Sequence, residues 1–141
     1  MVDSSLVARL NIQLLFRITG LALGIQIALG GLVTFGYVDW RVHMGWGVIL
    51  GILALVTLVF VYRMPAKSKR LVGLSVGLLV DIIIQGLIGF AAQGTGNNVV
   101  AWVHFLNSYA ILAMLFMALG MTMIGSRMGQ MGPTPPAVPA P

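Results

Sequence analysis

Four long apolar stretches divide the chain, at about 10–36, 43–62, 71–92 and 99–124. The polar breaks between them read YVDWR, RMPAKSKR and QGTGNN. A helical span needs about 20 mainly apolar residues, and each stretch supplies that. Four helices with short connections favour an up-down-up-down arrangement. The expected fold is therefore all-α, an integral membrane four-helix bundle filling residues 1–126. The first stretch is too long for the apolar core of a signal peptide, and three more follow it, so it is read as a span. Beyond Arg127 the chain continues MGQMGPTPPAVPAP. Its glycine and proline cannot continue a helix, so 127–141 is expected to be an extended or disordered Gly/Pro-rich cytoplasmic tail.

The pattern also repeats. IQIALGGLV from Ile25 aligns with IQGLIGFAA from Ile84, which sets Gln26 on Gln85 and Gly30 on Gly89, a shift of 59. RVH at Arg41 then falls on WVH at Trp102, a shift of 61. Each half is a glycine-bearing helix, a short outer loop and a helix opening with Val-His. Both halves begin on the same side, so the expected two-fold axis lies along the membrane normal.

Composition sharpens the class. Hydrophobic residues make up 59% of the 141 and charged ones 8%, with a mean hydropathy of +1.01. A soluble domain this apolar would have no surface to show water. The net charge of +5 does not point to nucleic acid, because the cations flank the apolar stretches. Arg9, Arg17, Arg63, Lys67, Lys69, Arg70 and Arg127 fall toward one side and Arg41 alone toward the other. That bias places both termini and the middle loop in the cytoplasm, with the chain in the plasma membrane. Tyr37, Trp40, Trp46 and Trp102 then form an outer interfacial belt, and Tyr62 marks the inner edge. The chain has no cysteine, so disulfides, thiolate nucleophiles, iron–sulfur ligands and c-type haem attachment are excluded. It has no glutamate either.

The candidate chemistry rests on His43 and His104, the only two histidines. They open the second and fourth stretches at equivalent repeat positions, near the outer face, on diagonal helices running the same way. Such a pair suits one haem iron, with an imidazole on each axial position. Zinc suits it less, since four ligands are wanted and no cysteine or glutamate completes the set. Gly47 and Gly51 follow His43 on one helical face, at i+4 and i+8, and would leave room for a flat macrocycle or for close helix packing. Asn107 and Ser108 follow His104 at i+3 and i+4. Arg41 is the outer cation best placed for a haem propionate.

The pattern LGIQIALGGLVTFGY…VHMGWGVILGILAL, with its echo, resembles one four-helix half of the haem A synthase family. The resemblance covers about residues 11–124. It implies bis-histidine haem ligation at the outer ends of the even helices, which carries over to His43 and His104. It also implies a catalytic acidic residue, and often cysteines, in the first outer loop. Here the only acid in that loop is Asp39 and there is no cysteine, so the haem site carries over while the oxygenase chemistry lacks the residues the resemblance implies. By architecture the chain also resembles small four-helix b-type cytochromes.

Two further polar features lie within the apolar stretches. Asp81, in GLLVDIIIQG, is costly in a membrane and so a functional candidate, with a protonated packing residue as the plain alternative. A contact with Arg17 would require that side chain to extend toward the membrane centre. Gln26 and Gln85 are expected to hydrogen-bond across the repeat axis. The expected function is one-electron transfer by a membrane b-type cytochrome with one haem b per chain. It would serve as a subunit of a respiratory assembly or as a homo-oligomer, in contact with membrane lipid and with quinone as a candidate partner. The alternatives are a haem A synthase-like enzyme, carrying haem O or A, and a structural or transport subunit without cofactor.

Overall fold

The computed structural model describes residues 4–64 and 67–130. They form four α-helices: α1 (Ser4–Thr34), α2 (Trp40–Arg63), α3 (Lys69–Thr95) and α4 (Asn98–Gln130). No strand occurs among the described residues. Each helix is long and apolar enough to cross a membrane. Residues 127–130, expected to start the tail, continue α4. A single glycine at 129 costs a helix only about 1 kcal/mol, and the first proline comes later, at Pro133. The rest of the tail lies outside the described residues.

Local chemistry sets the helix ends. Gly36, with φ 75°, closes α1. The N–H of Tyr37 donates to Leu32 O and that of Gly36 to Val33 O, a Schellman motif that needs a left-handed residue. Asp39 caps α2 by accepting from Arg41 N at 2.8 Å. Ser68 caps α3, accepting from Leu71 N at 3.1 Å. Gly96, with φ 61°, ends α3, and Asn97 Oδ1 accepts from Val99 N at 2.8 Å at the start of α4.

α1 packs on α2 and α4, and α3 packs on the same two helices. The buried positions obey the sequence repeat. Ile12, Phe16, Thr19 and Leu23 are buried in α1, and Leu71, Ser75, Leu78 and Ile82 are buried in α3. These sets differ by the same 59 positions. Leu50, Ala54 and Thr57 in α2 match Ile111, Leu115 and Ala118 in α4, all buried, under the shift of 61. Large and small residues trade places between the halves: Phe16 for Ser75, Ala54 for Leu115. An asymmetric set of side chains thus fills one core on a symmetric backbone plan. The outer surface is apolar as well, with Leu21 at 69%, Phe90 at 67% and Phe116 at 63% exposure.

Candidate functional site

His43 lies in the first turn of α2 and His104 near the start of α4. Their ring centroids stand 6.0 Å apart, with the rings inclined at 76°. The two histidines singled out in the sequence therefore meet.

Each ring rests on a glycine of the preceding helix. A Cβ on Gly30 would stand 3.1 Å from His43 Cε1, and one on Gly89 would stand 2.6 Å from His104 Cε1. Real Cβ atoms essentially never approach to the second distance, so His104 holds its place because residue 89 has no side chain. The repeat that aligns Gly30 with Gly89 is thus a repeat of histidine seats.

The glutamines of the repeat serve the histidines of their own halves; they do not bond each other across the axis. Gln85 Nε2 donates to His104 O at 2.7 Å, and His104 Nδ1 lies 3.1 Å from Gln85 O. A carbonyl only accepts, so Nδ1 carries the proton and Nε2 keeps its lone pair. A metal-bound histidine commonly has this arrangement, its second nitrogen donating to a backbone carbonyl. In the first half, Gln26 Nε2 lies 3.2 Å from His43 Nε2. His43 Nδ1 and Gln26 Oε1 are both buried without a hydrogen-bond partner. Exchanging the amide oxygen and nitrogen of Gln26 would still leave one ring nitrogen of His43 unpaired. A buried polar atom left unpaired costs about 1–3 kcal/mol.

The other expected site residues have more specific partners than the sequence suggested. Gly47 faces the Gln26 carboxamide: a Cβ there would lie 3.1 Å from Gln26 Nε2. Gly51 packs against Ile82 of α3 at 3.9 Å. Over Gly47 the space is taken by the movable end of Gln26, and over Gly51 the contact with Ile82 is an ordinary one. Asn107 Nδ2 donates to Asp81 Oδ1 at 2.8 Å and to Gln85 Oε1 at 3.0 Å. Ser108, buried, donates back to Phe105 O at 2.6 Å. Arg41 is exposed at the mouth of the pair, with its guanidinium carbon 6.0 Å from the Trp40 ring centroid. Arg17 is exposed on α1, and Asp81 takes Asn107 as its partner instead. Asp39, the acid of the first loop, is engaged as the cap of α2.

Two imidazoles suit axial ligation of one metal within a flat macrocycle. No group of three or more His, Cys, Asp or Glu side chains gathers among the described residues, which removes the donor set of a closed zinc site. The fit requires one adjustment: the Gln26 carboxamide must leave His43 Nε2 for that nitrogen to become a ligand. The chain matches no family model, no curated protein and no solved structure.

Proposed function

We propose that the protein is an integral membrane b-type cytochrome, in which His43 and His104 would hold one haem b. One observation carries the proposal: the only two histidines of the chain, 61 positions apart, meet at 6.0 Å in equivalent glycine seats. Bound there, a haem would supply one-electron transfer.

The chain's own residues do the rest. Gly89 and Gly30 let the rings lie flush against α3 and α1. Gln85 O accepts from His104 Nδ1–H and so leaves the Nε2 lone pair free to ligate. Gln26 Nε2 lies on His43 Nε2 at 3.2 Å and would have to move aside for that nitrogen to hold a haem. Arg41 offers a cation to a propionate at the mouth.

The surroundings follow from the same proposal. Contacts such as Gln13–Thr122, Trp46–Ala22 and Asn107–Asp81 support an up-down-up-down bundle. The distribution of cations supports a plasma-membrane orientation with both termini and the 64–68 connection cytoplasmic and the histidines near the outer face. So little mass outside the apolar helices supports a subunit of a respiratory assembly, or a homo-oligomer, with lipid around it and quinone as a candidate partner.

A second reading has an observation of its own. The Gln26–His43 contact fills the site with a polar side chain, as a structural or transport subunit without cofactor would have it. A reduced-minus-oxidised spectrum of the purified protein decides between them. Low-spin b-type bands, lost in His43→Ala and in His104→Ala, are expected. A protein without bands leaves the second reading, and a low-spin spectrum that survives either substitution removes the bis-histidine assignment. Extracted haem O or A in place of haem b would turn the proposal toward a haem A synthase-like enzyme.

A further inference from the structure

The halves agree at Gln26 and Gln85 and at His43 and His104, and they part company about one turn deeper. Asp81 stands where α1 has Ala22, and Asn107 stands where α2 has Trp46, under the same shifts of 59 and 61. In the first half, the Trp46 indole closes this level by donating to Ala22 O at 2.8 Å. In the second half, a carboxyl and a carboxamide take the same places. Asp81 lies twelve residues into α3 from Lys69, about 18 Å at 1.5 Å per residue. The other two acids, Asp3 and Asp39, lie outside the four apolar stretches.

The network fixes which atoms donate. His104 O accepts, so the amide end of Gln85 facing it is Nε2. Gln85 Oε1 then accepts from Asn107 Nδ2. The same Asn107 nitrogen donates its second hydrogen to Asp81 Oδ1, so that oxygen accepts too. A proton on Asp81 therefore belongs on Oδ2. It can arrive and leave without breaking any bond of the chain that runs from Asp81 through Asn107 and Gln85 to His104.

We infer that Asp81 is a proton-binding site whose occupancy follows the charge at the histidine pair. The inference rests on the haem proposal above. An electron on a haem held by the pair would add one negative charge in a medium of low dielectric, where like charges repel strongly. A carboxylate nearby compensates by taking one proton from water: the carboxylate and a hydronium ion become a carboxylic acid and water, and oxidation reverses the step. Among the described residues, no other carboxyl lies within the four apolar stretches. α2 carries His43 of the pair itself, with Arg41, Tyr62 and Arg63 at its exposed ends. α4 carries His104, and Tyr109, which is exposed and stacks on Phe105.

Infrared difference spectroscopy on the full chain tests this cleanly, because aspartates are its only side-chain carboxyls. On electrochemical reduction of the haem-loaded protein, a protonated-carboxyl C=O band should appear. It should shift on 13C-aspartate labelling, which separates it from propionates, and vanish in Asp81→Asn. The reduction potential should fall as pH rises, and less steeply in that variant. If Asp81→Asn does not accumulate, labelled Asp3→Asn/Asp39→Asn protein assigns the band to Asp81 alone. A difference spectrum with no aspartate band overturns the inference while low-spin haem bands leave the cytochrome standing. If no haem is found, the cytochrome proposal fails separately, and a pH titration of the labelled band decides the remainder. In the Asp3→Asn/Asp39→Asn protein, a band that titrates reversibly supports proton binding at Asp81; one present and constant at every pH, or absent at every pH, overturns it.

Discussion

One turn below its histidine, the first half joins α1 to α2 through an indole and a backbone carbonyl, where the second joins α3 to α4 through a carboxyl and a carboxamide, although both seat a histidine on a glycine in the same way. At Trp46 the first half is closed and apolar, and its histidine is left with an unpaired nitrogen. At Asn107 the second half is polar and connected, and its histidine is oriented by a backbone carbonyl. Duplicated backbones repeat whatever depends on helix geometry. They need not repeat the side chains that carry charge. The shared features therefore mark what both halves must do, which is hold an imidazole. The unshared ones mark where the halves have separate tasks.

The largest effect should come where the halves trade volume. Phe16 is fully buried, and Phe16→Ala should cost about 3–5 kcal/mol, the usual result of emptying a filled core site. Its repeat partner Ser75 only donates back to Leu71 O, so Ser75→Ala should cost under about 1 kcal/mol. Denaturation of the two variants in detergent measures the gap. Equal losses would mean that the matched burial does not reflect one jointly packed core.

A smaller contrast is expected at the seats. A methyl on Gly89 meets His104 at 2.6 Å, whereas one on Gly30 meets His43 at 3.1 Å. Forcing a group into filled space costs about 1–3 kcal/mol. Gly89→Ala should fall in that range and displace His104; Gly30→Ala needs only a few tenths of an ångström and should cost less. Haem-to-protein ratios and melting curves should both rank Gly89→Ala as the more damaging. The opposite order would put the strained seat in the first half.

The four helices were legible because apolar length dominates such a sequence, and Gly36, Asp39, Ser68 and Gly96 punctuate it in the expected way. The end of α4 was read too early, since glycine near 127 signals a stop only weakly. The histidine pair was legible from its exclusive, matched placement. The glutamines were not: a repeat shows which positions correspond, but a flexible amide chooses its partner by local space. Gln26 turns to His43 over the bare backbone of Gly47, while Gln85 turns to Asn107 and the His104 carbonyl. The Asp81–Asn107 bond spans 26 positions, and its counterpart joins the equivalent positions 22 and 46 through an indole and a backbone carbonyl, so matching residue types could not announce it.

The smallest effect on stability, and the closest test of the comparison, lies at Gly47. Its repeat partner is Ser108, which is buried and back-bonded to Phe105 O. The second half therefore accommodates a Cβ and a hydroxyl where the first half has neither. Only the Gln26 carboxamide stands in the way of the same residue at 47, at 3.1 Å, and it is the far end of a flexible side chain. Gly47→Ser should thus move Gln26 off His43 without disturbing the helices, and replacing a mid-helix glycine should itself return up to about 0.5–1 kcal/mol. Free of Gln26, His43 Nε2 becomes available without the adjustment that ligation otherwise requires. The variant should melt at or slightly above the parent temperature and bind haem at least as tightly in a titration of the apoprotein. Weaker haem binding with unchanged melting would show instead that the open space over Gly47 belongs to the macrocycle, and that Gln26 only borrows it.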